Sequence, residues 1–121
     1  MDVSDYIAND PVAASVLERL AAVLDNLGEV EQISQKSQIK FARRHPFAAL
    51  WVPEQYLKRK LAPVVLSISA KRRLRSKRFK EVVETARNRF MHHLELTSAK
   101  QIDAQVVRWL TMAWTDAGAG L

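Results

Sequence analysis

The stretch QIKFARRHPFAALWVP, residues 38–53, contains two apolar runs separated by a turn. In the first run Ile39 and Phe41 alternate with polar residues, which is the period of a half-buried β-strand. Arg44-His45-Pro46 interrupts the pattern, and the second run ends at Pro53, because proline cannot continue a central strand. The stretch therefore predicts a β-hairpin, and with it an antiparallel sheet.

Three further segments extend the predicted sheet. PVVLSIS, residues 63–69, places Val64, Leu66 and Ile68 on one face and predicts a third strand. RFMHHLEL, residues 89–96, is the last strand, and the shorter run 29–34 is a possible first one. By contrast, FKEVVETA, residues 79–86, combines helix formers with an apolar trio and predicts one or two helical turns.

Helices are predicted at both ends of the chain. Asp10-Pro11 is a cap followed by proline at the first helical position, and Gly28 is placed to end that helix in a left-handed conformation. Ser98 and Gln101 form a capping box before the second helix. The apolar stripes of the two helices are Val12, Val16, Leu17, Leu20, Leu24 and Leu27, and Ile102, Val106, Leu110, Ala113 and Trp114.

This order of elements predicts an α+β fold. We expect an N-terminal helix, an antiparallel sheet of four to five strands and a C-terminal helix, with both long helices on one sheet face. The 121 residues are enough for a single domain, 1–121, with its core at about residues 6–117.

Composition narrows the class of protein. The chain has no cysteine, which excludes disulfides and thiolate metal sites and fits a reducing compartment. It shows neither a signal-peptide pattern nor an apolar run long enough to span a membrane, so we expect a cytoplasmic protein. No cofactor or metal is expected, and the formal charge of +6 favours acidic partners.

The histidine pair His92-His93 is the nearest approach to a catalytic motif. Neighbouring side chains on a strand point to opposite faces, so the two imidazoles should diverge. His92 is in phase with Phe90 and Leu94 and should be a core histidine with backbone partners, because an unsatisfied buried donor costs about 1–3 kcal/mol. His93 should lie on the opposite, solvated face. Motifs for phosphate-binding loops and hydrolases are absent, and we do not expect an enzyme.

The basic run KRRLRSKRFK, residues 71–80, is the strongest functional signal. We expect it to form a loop beside exposed aromatics such as Phe79 or Tyr56, which is a surface typical of phosphate-backbone binding. The alternative is a charged loop that only keeps the domain soluble. The candidate polyanion-binding residues are Lys71, Arg72, Arg73, Arg75, Lys77, Arg78 and Lys80, with Lys58, Arg59 and Lys60 in support.

Two other functions remain open. One is a small-ligand or enzymatic site on the open sheet face, formed by Lys40, Ser67, His93 and Glu95. The other is a protein-interaction or homodimer module that uses Trp51, Trp109 and Trp114 at a surface, with Trp114 the best candidate for an exposed aromatic.

The segments KSQIKFARRHPFAALWVP, APVVLSIS and RFKEVVETARNRFMHHLELTS, followed by a C-terminal helix, resemble the bacterial domain of unknown function 5655 family (DUF5655). The resemblance runs from about Tyr6 to Ala117. That family occurs as small free-standing proteins and as a C-terminal module behind nuclease-like domains in proteins labelled predicted transport proteins. The resemblance implies an α+β module of undetermined function and carries no catalytic residues across. Relatives tend to have a less basic loop at 71–80, which makes the basic run a feature of this protein more than of the family.

Overall fold

The structure is a computed structural model that describes residues 2–59 and 62–119. Those ranges contain three α-helices: α1 (Val3–Asn9), α2 (Pro11–Leu27) and α3 (Ala104–Ala117). They also contain six strands: β1 (Glu31–Ser34), β2 (Ile39–Ala42), β3 (Pro46–Trp51), β4 (Val64–Ala70), β5 (Glu81–Ala86) and β6 (Arg89–Leu96). Two short 3-10 turns complete the described elements: Glu54–Tyr56 and Ala99–Gln101.

Helix α2 has the bounds that its caps predicted. The side chain of Asp10 accepts hydrogen bonds from the backbone N–H groups of Val12 and Ala13, both at 2.9 Å. The helix ends at Gly28, whose φ of +139° and ψ of −144° form an extended conformation rather than the predicted left-handed helical one. That region is open almost only to glycine. Helix α1 was not predicted, because seven residues with two buried positions give too short a pattern.

The strands form one antiparallel sheet in the order β1-β2-β3-β4-β6-β5. The predicted hairpin is β2 and β3, and the possible first strand is β1. Because β6 lies between β4 and β5 and is antiparallel to both, β4 and β5 run parallel to each other. The chain must therefore pass over β6 between Ala70 and Glu81. We call residues 71–80 the crossover.

The core lies between the sheet and the two long helices. Phe41, Leu50, Leu66 and Leu94 are all buried on one face, which α2 and α3 cover. We call it the helix-covered face and the other the open face. The α+β prediction is thus confirmed, with both long helices on one face, although the sheet has six strands rather than four to five.

The predicted helical turn at residues 79–86 is wrong. Residues 81–86 form edge strand β5, where Val82 pairs with His92 and Val83 with Met91. Pairing with β6 decides the conformation, since β-branched residues fit a pleated surface and tertiary contacts override local propensity. A two-residue turn then leads into β6, and its second residue, Asn88, has a φ of 59°, a conformation that asparagine tolerates better than most residues.

The predicted capping box begins a shorter element than expected. Ser98 and Gln101 do cap each other, but they enclose the 3-10 turn at Ala99–Gln101. Helix α3 starts only after Asp103, whose side chain accepts from the backbone N–H of Val106 at 3.2 Å. The chain therefore turns once before the C-terminal helix begins.

Substituting Gly28 by alanine should lower the free energy of unfolding by about 1–3 kcal/mol, because a side chain is strained at this φ. The added Cβ would also lie 2.8 Å from Cζ2 of the Trp114 ring. Gly118→Ala is the control for the backbone conformation, since its φ of −86° suits any residue and its Cβ would displace only the end of the Arg43 side chain. Equal losses for the two variants in urea denaturation would contradict the conformational argument.

Candidate functional site

His92 fastens the crossover to the sheet. Its side chain is fully buried on the helix-covered face, as the strand pattern predicted. Its Nδ1 lies 3.1 Å from the carbonyl oxygen of Ile68, and its Nε2 lies 2.9 Å from the backbone nitrogen of Leu74. A carbonyl only accepts and an amide N–H only donates, so His92 must be the neutral imidazole with its proton on Nδ1. Burial lowers the pKa of His92, which agrees with that form.

His93 points to the open face and has the opposite tautomer. Its Nδ1 lies 2.7 Å from Oγ of Ser67, and the same oxygen accepts a 2.8 Å hydrogen bond from Nε1 of Trp51. The Ser67 hydroxyl is buried and has no other acceptor among the described residues, so it donates its proton to Nδ1 of His93, and the imidazole proton lies on Nε2. Burial lowers the pKa of His93 as well, while Glu81 acts in the other direction.

The structure brings together half of the four-residue ligand face suggested by the sequence. Ser67 and His93 are hydrogen-bonded to each other. Lys40 lies on β2 at the same level of the sheet, but Ala49 of β3 pairs between it and Ser67. Two strand spacings separate Lys40 from Ser67, roughly 10 Å. Glu95 is held by Lys80, whose Nζ lies 3.3 Å from its carboxylate.

The Ser67 hydroxyl is poorly placed for nucleophilic attack. The side chain is only 3% exposed, and its oxygen already receives the indole N–H of Trp51. An activated serine needs both a base and an approach path to Oγ, and here His93 is placed as a base while burial blocks the path. The hydrogen-bond chain from Trp51 to His93 instead fixes the orientation of the His93 ring.

A cleft of about 350 Å³ opens on the open face beside the hydrogen-bonded residues Trp51, Ser67 and His93. The Nε2 of His93 is without a hydrogen-bond partner among the described residues. Glu81 pairs directly with His93 across the strands, so both side chains point into the same space. We call this the open-face cleft, and its lining is Trp51, Pro53, Gln55, Val65, Lys80, Glu81 and His93.

Three residues of the basic run hold the crossover in place. Arg78 donates to the carboxylate of Asp103 at 3.0 Å and to the carbonyl of Gln101 at 2.9 Å, and its guanidinium lowers the pKa of Asp103. Arg73 lies over the ring of Phe90 and donates to the carbonyl of Val82 at 3.4 Å. Lys80 donates to Tyr56 and Glu95, which together raise its pKa.

Phe79 anchors the same segment in the core. The sequence suggested an exposed aromatic, but the ring is 9% exposed, and its centroid lies 4.5 Å from that of Trp109 and 4.9 Å from that of His92. The crossover is therefore a packed strap on the helix-covered face, not a free loop.

The remaining cations of the crossover face solvent. Their side chains make no hydrogen bond or ion pair within residues 2–59 and 62–119, and all four are exposed: Lys71, Arg72, Arg75 and Lys77. Lys58 and Arg59 are exposed near the other end of the crossover, where Arg59 and Lys80 both lie over the ring of Tyr56, at 5.1 and 5.2 Å from its centroid. Lys60 lies outside the described residues.

Two further cations join the start of the crossover. Arg87 of the β5–β6 turn and Arg89 at the start of β6 line a groove of about 280 Å³ together with Lys71 and His45. Asp116 is the acidic residue in the lining of that groove. The sequence did not indicate Arg87 and Arg89 as binding residues, because their approach to Lys71 depends on the strand order.

The three tryptophans are engaged inside the molecule. Trp109 is buried and Trp51 is bonded to Ser67. Trp114, expected to be exposed, donates to the carbonyl of Glu29 at 3.0 Å and has the Arg43 guanidinium 3.6 Å from its ring centroid. An interface built on free tryptophan side chains therefore has no support in this arrangement.

The described residues contain no group of three or more histidine and acidic side chains arranged to hold a metal ion. Within the same part of the chain, no helix has the length and apolar character needed to cross a membrane.

These features define a class of protein: a small α+β module whose parallel strand pair is joined by a basic strap across the helix-covered face. The family model described as Domain of unknown function (DUF5655) matches residues 3–117, and the chain belongs to that family. No curated protein and no solved structure matches it.

The adjacent histidines should show opposite tautomers in solution at neutral pH. The ¹⁵N shifts of the imidazoles should identify a protonated Nδ1 in His92 and a protonated Nε2 in His93. The same protonated nitrogen in both rings would contradict the assignment, and titration of either ring near pH 6.5, the ordinary histidine value, would contradict its lowered pKa.

Both histidines should also make the protein less stable in acid. Because their pKa values are lowered in the folded state, the unfolded chain binds protons first as the pH falls. The stabilisation is present above about pH 6.5 and is lost progressively below it. The free energy of unfolding should fall between pH 7.5 and 5.5, and His93→Gln should reduce that fall. An unchanged pH dependence in the variant would contradict the role given to His93.

Proposed function

We propose that this protein is a non-enzymatic accessory module that binds a polyanion, most simply nucleic acid, through the outward face of the crossover. The observation that carries the proposal is the division of the basic run into two sets. Arg73, Arg78 and Lys80 are used to fasten the strap, and the other four cations are held on its solvent side.

A fastened strap favours binding because the backbone that carries the cations is already positioned before the partner arrives. Association costs less when the contacting groups are already placed. A flexible charged loop, which would serve solubility alone, needs neither a buried histidine nor a buried phenylalanine to hold it.

The proposed surface extends beyond the crossover at its start. Arg87 and Arg89 add two cations beside Lys71, which gives six groups available for phosphates. Asp116 opposes them only within the groove. Base-reading side chains are not part of this set, so binding should depend on phosphate contacts and show little sequence preference.

If the partner is a nucleic acid, we expect the protein to act in the cytoplasm. A chain without cysteine is compatible with that reducing compartment.

Binding to labelled duplex and single-stranded DNA should weaken steeply with salt. Six phosphate contacts on a duplex correspond to a log–log slope of about −5, or a loss of roughly three decades in affinity between 50 and 200 mM salt. The double variant Arg72→Gln/Arg75→Gln should reduce the slope to about −3.6.

The matched control is Lys36→Gln/Lys40→Gln, which removes the same charge from the opposite part of the sheet, on and beside β2. This control should retain the parent slope. Equal effects of the two double variants would show that binding depends only on net charge. A slope near zero for the unmodified protein would exclude the polyanion function.

A further inference from the structure

The open-face cleft presents one fixed hydrogen-bond donor beside one free acceptor. The donor is Nε2–H of His93, whose ring is held by the hydrogen bonds of Ser67 and Trp51. The acceptor is the carboxylate of Glu81, which forms no hydrogen bond or ion pair with any described residue. The donor and the acceptor do not satisfy each other in this structure.

Directly paired residues on antiparallel strands have Cβ atoms about 4.5–5.5 Å apart. A ligand that accepts from His93 and donates to Glu81 therefore needs an acceptor and a donor on neighbouring atoms of one edge. That arrangement is characteristic of the Watson–Crick edge of a nucleobase.

The other walls of the cleft suit a planar ring. Trp51 offers a large aromatic surface that its bond to Ser67 holds in one orientation, and Pro53 and Val65 are apolar. Stacking of a base on an aromatic side chain contributes about 1–3 kcal/mol. At about 350 Å³ the cleft has room for one base. Lys80 lies at its rim with Arg59 close by over the Tyr56 ring, where a sugar-phosphate backbone would leave the site.

We propose that the open-face cleft binds one unpaired nucleobase of a single-stranded nucleic acid, and that it prefers guanine. A carboxylate accepts two hydrogen bonds at once, and guanine alone among the common bases has two adjacent donors, N1–H and N2–H, on this edge. Its O6, beside N1–H, accepts from His93. The inference deepens the proposed function in that a nucleic acid supplies the base, but it concerns the opposite face of the sheet from the four exposed crossover cations; of the crossover, Lys80 alone is in the lining of the cleft.

The test uses guanosine, adenosine, cytidine and uridine as probes, because nucleosides have no phosphate for the cations to hold. Guanosine should shift the NMR signals of Trp51 Nε1–H and His93 Nε2–H and should bind at least about tenfold more tightly than adenosine, the equivalent of about 1.4 kcal/mol. Glu81→Gln replaces one acceptor oxygen by a donor and should abolish that preference.

Glu84→Gln is the matched control, since Glu84 is on the same strand but pairs with Phe90 on the helix-covered side. It should leave guanosine binding unchanged. No signal change with any nucleoside at millimolar concentration, equal affinity for all four, or an equal effect of the two substitutions would overturn the proposal.

The two proposals fail separately. The salt slope measured with DNA concerns the crossover cations, and nucleoside binding concerns the cleft alone. Loss of guanosine binding with a steep salt slope would leave a phosphate-binding module without a base site. The reverse result would leave a nucleoside site without a polyanion surface.

Discussion

The hydrogen bond from the backbone N–H of Leu74 to His92 determines how charge is displayed on this protein. A parallel pair of strands with a third strand between them requires a connection across the sheet, and here that connection carries seven basic residues. Its path over a buried face would be unfavourable without partners for its polar groups. His92 supplies one partner, Asp103 another and Phe79 an apolar contact, so the segment is packed while four of its seven cations remain exposed.

The same strand divides the molecule into two functional faces. Because successive side chains of β6 alternate, His92 and His93 stand back to back with their protons on opposite ring nitrogens. Both ring nitrogens of His92 make hydrogen bonds within the protein. His93 uses only Nδ1 in this way, so its Nε2–H remains a hydrogen-bond donor of fixed direction on the open face. Each proposed contact surface therefore depends on one histidine of the pair. His92 holds the crossover in place, and His93 provides the donor in the open-face cleft.

The fold was predictable from local patterns wherever those patterns matched the tertiary environment. Caps and periodicity located α2, and alternation located β2, β4 and β6. Residues 81–86 were misjudged because their spacing suits a helix and only the neighbouring β6 makes them a strand. The divergence of the histidines also followed from the sequence. Glu81 and Arg87 as site residues did not, since their positions depend on strand order and register, which no local signal specifies.

The strand order also constrains how the chain can fold. Strand β5 touches the rest of the sheet only through β6, which follows it in the chain, so β5 has no place to pair until its own successor has formed. The short turn at Arg87-Asn88 allows the two to form a local hairpin first, and such hairpins form in about 1–10 μs. That hairpin would then dock as a unit against the exposed edge of β4, while residues 71–80 are still an open loop. Burial of the His92 ring under the strap would accordingly be among the last events of folding, because residues 71–80 can close over the sheet only after the hairpin has docked.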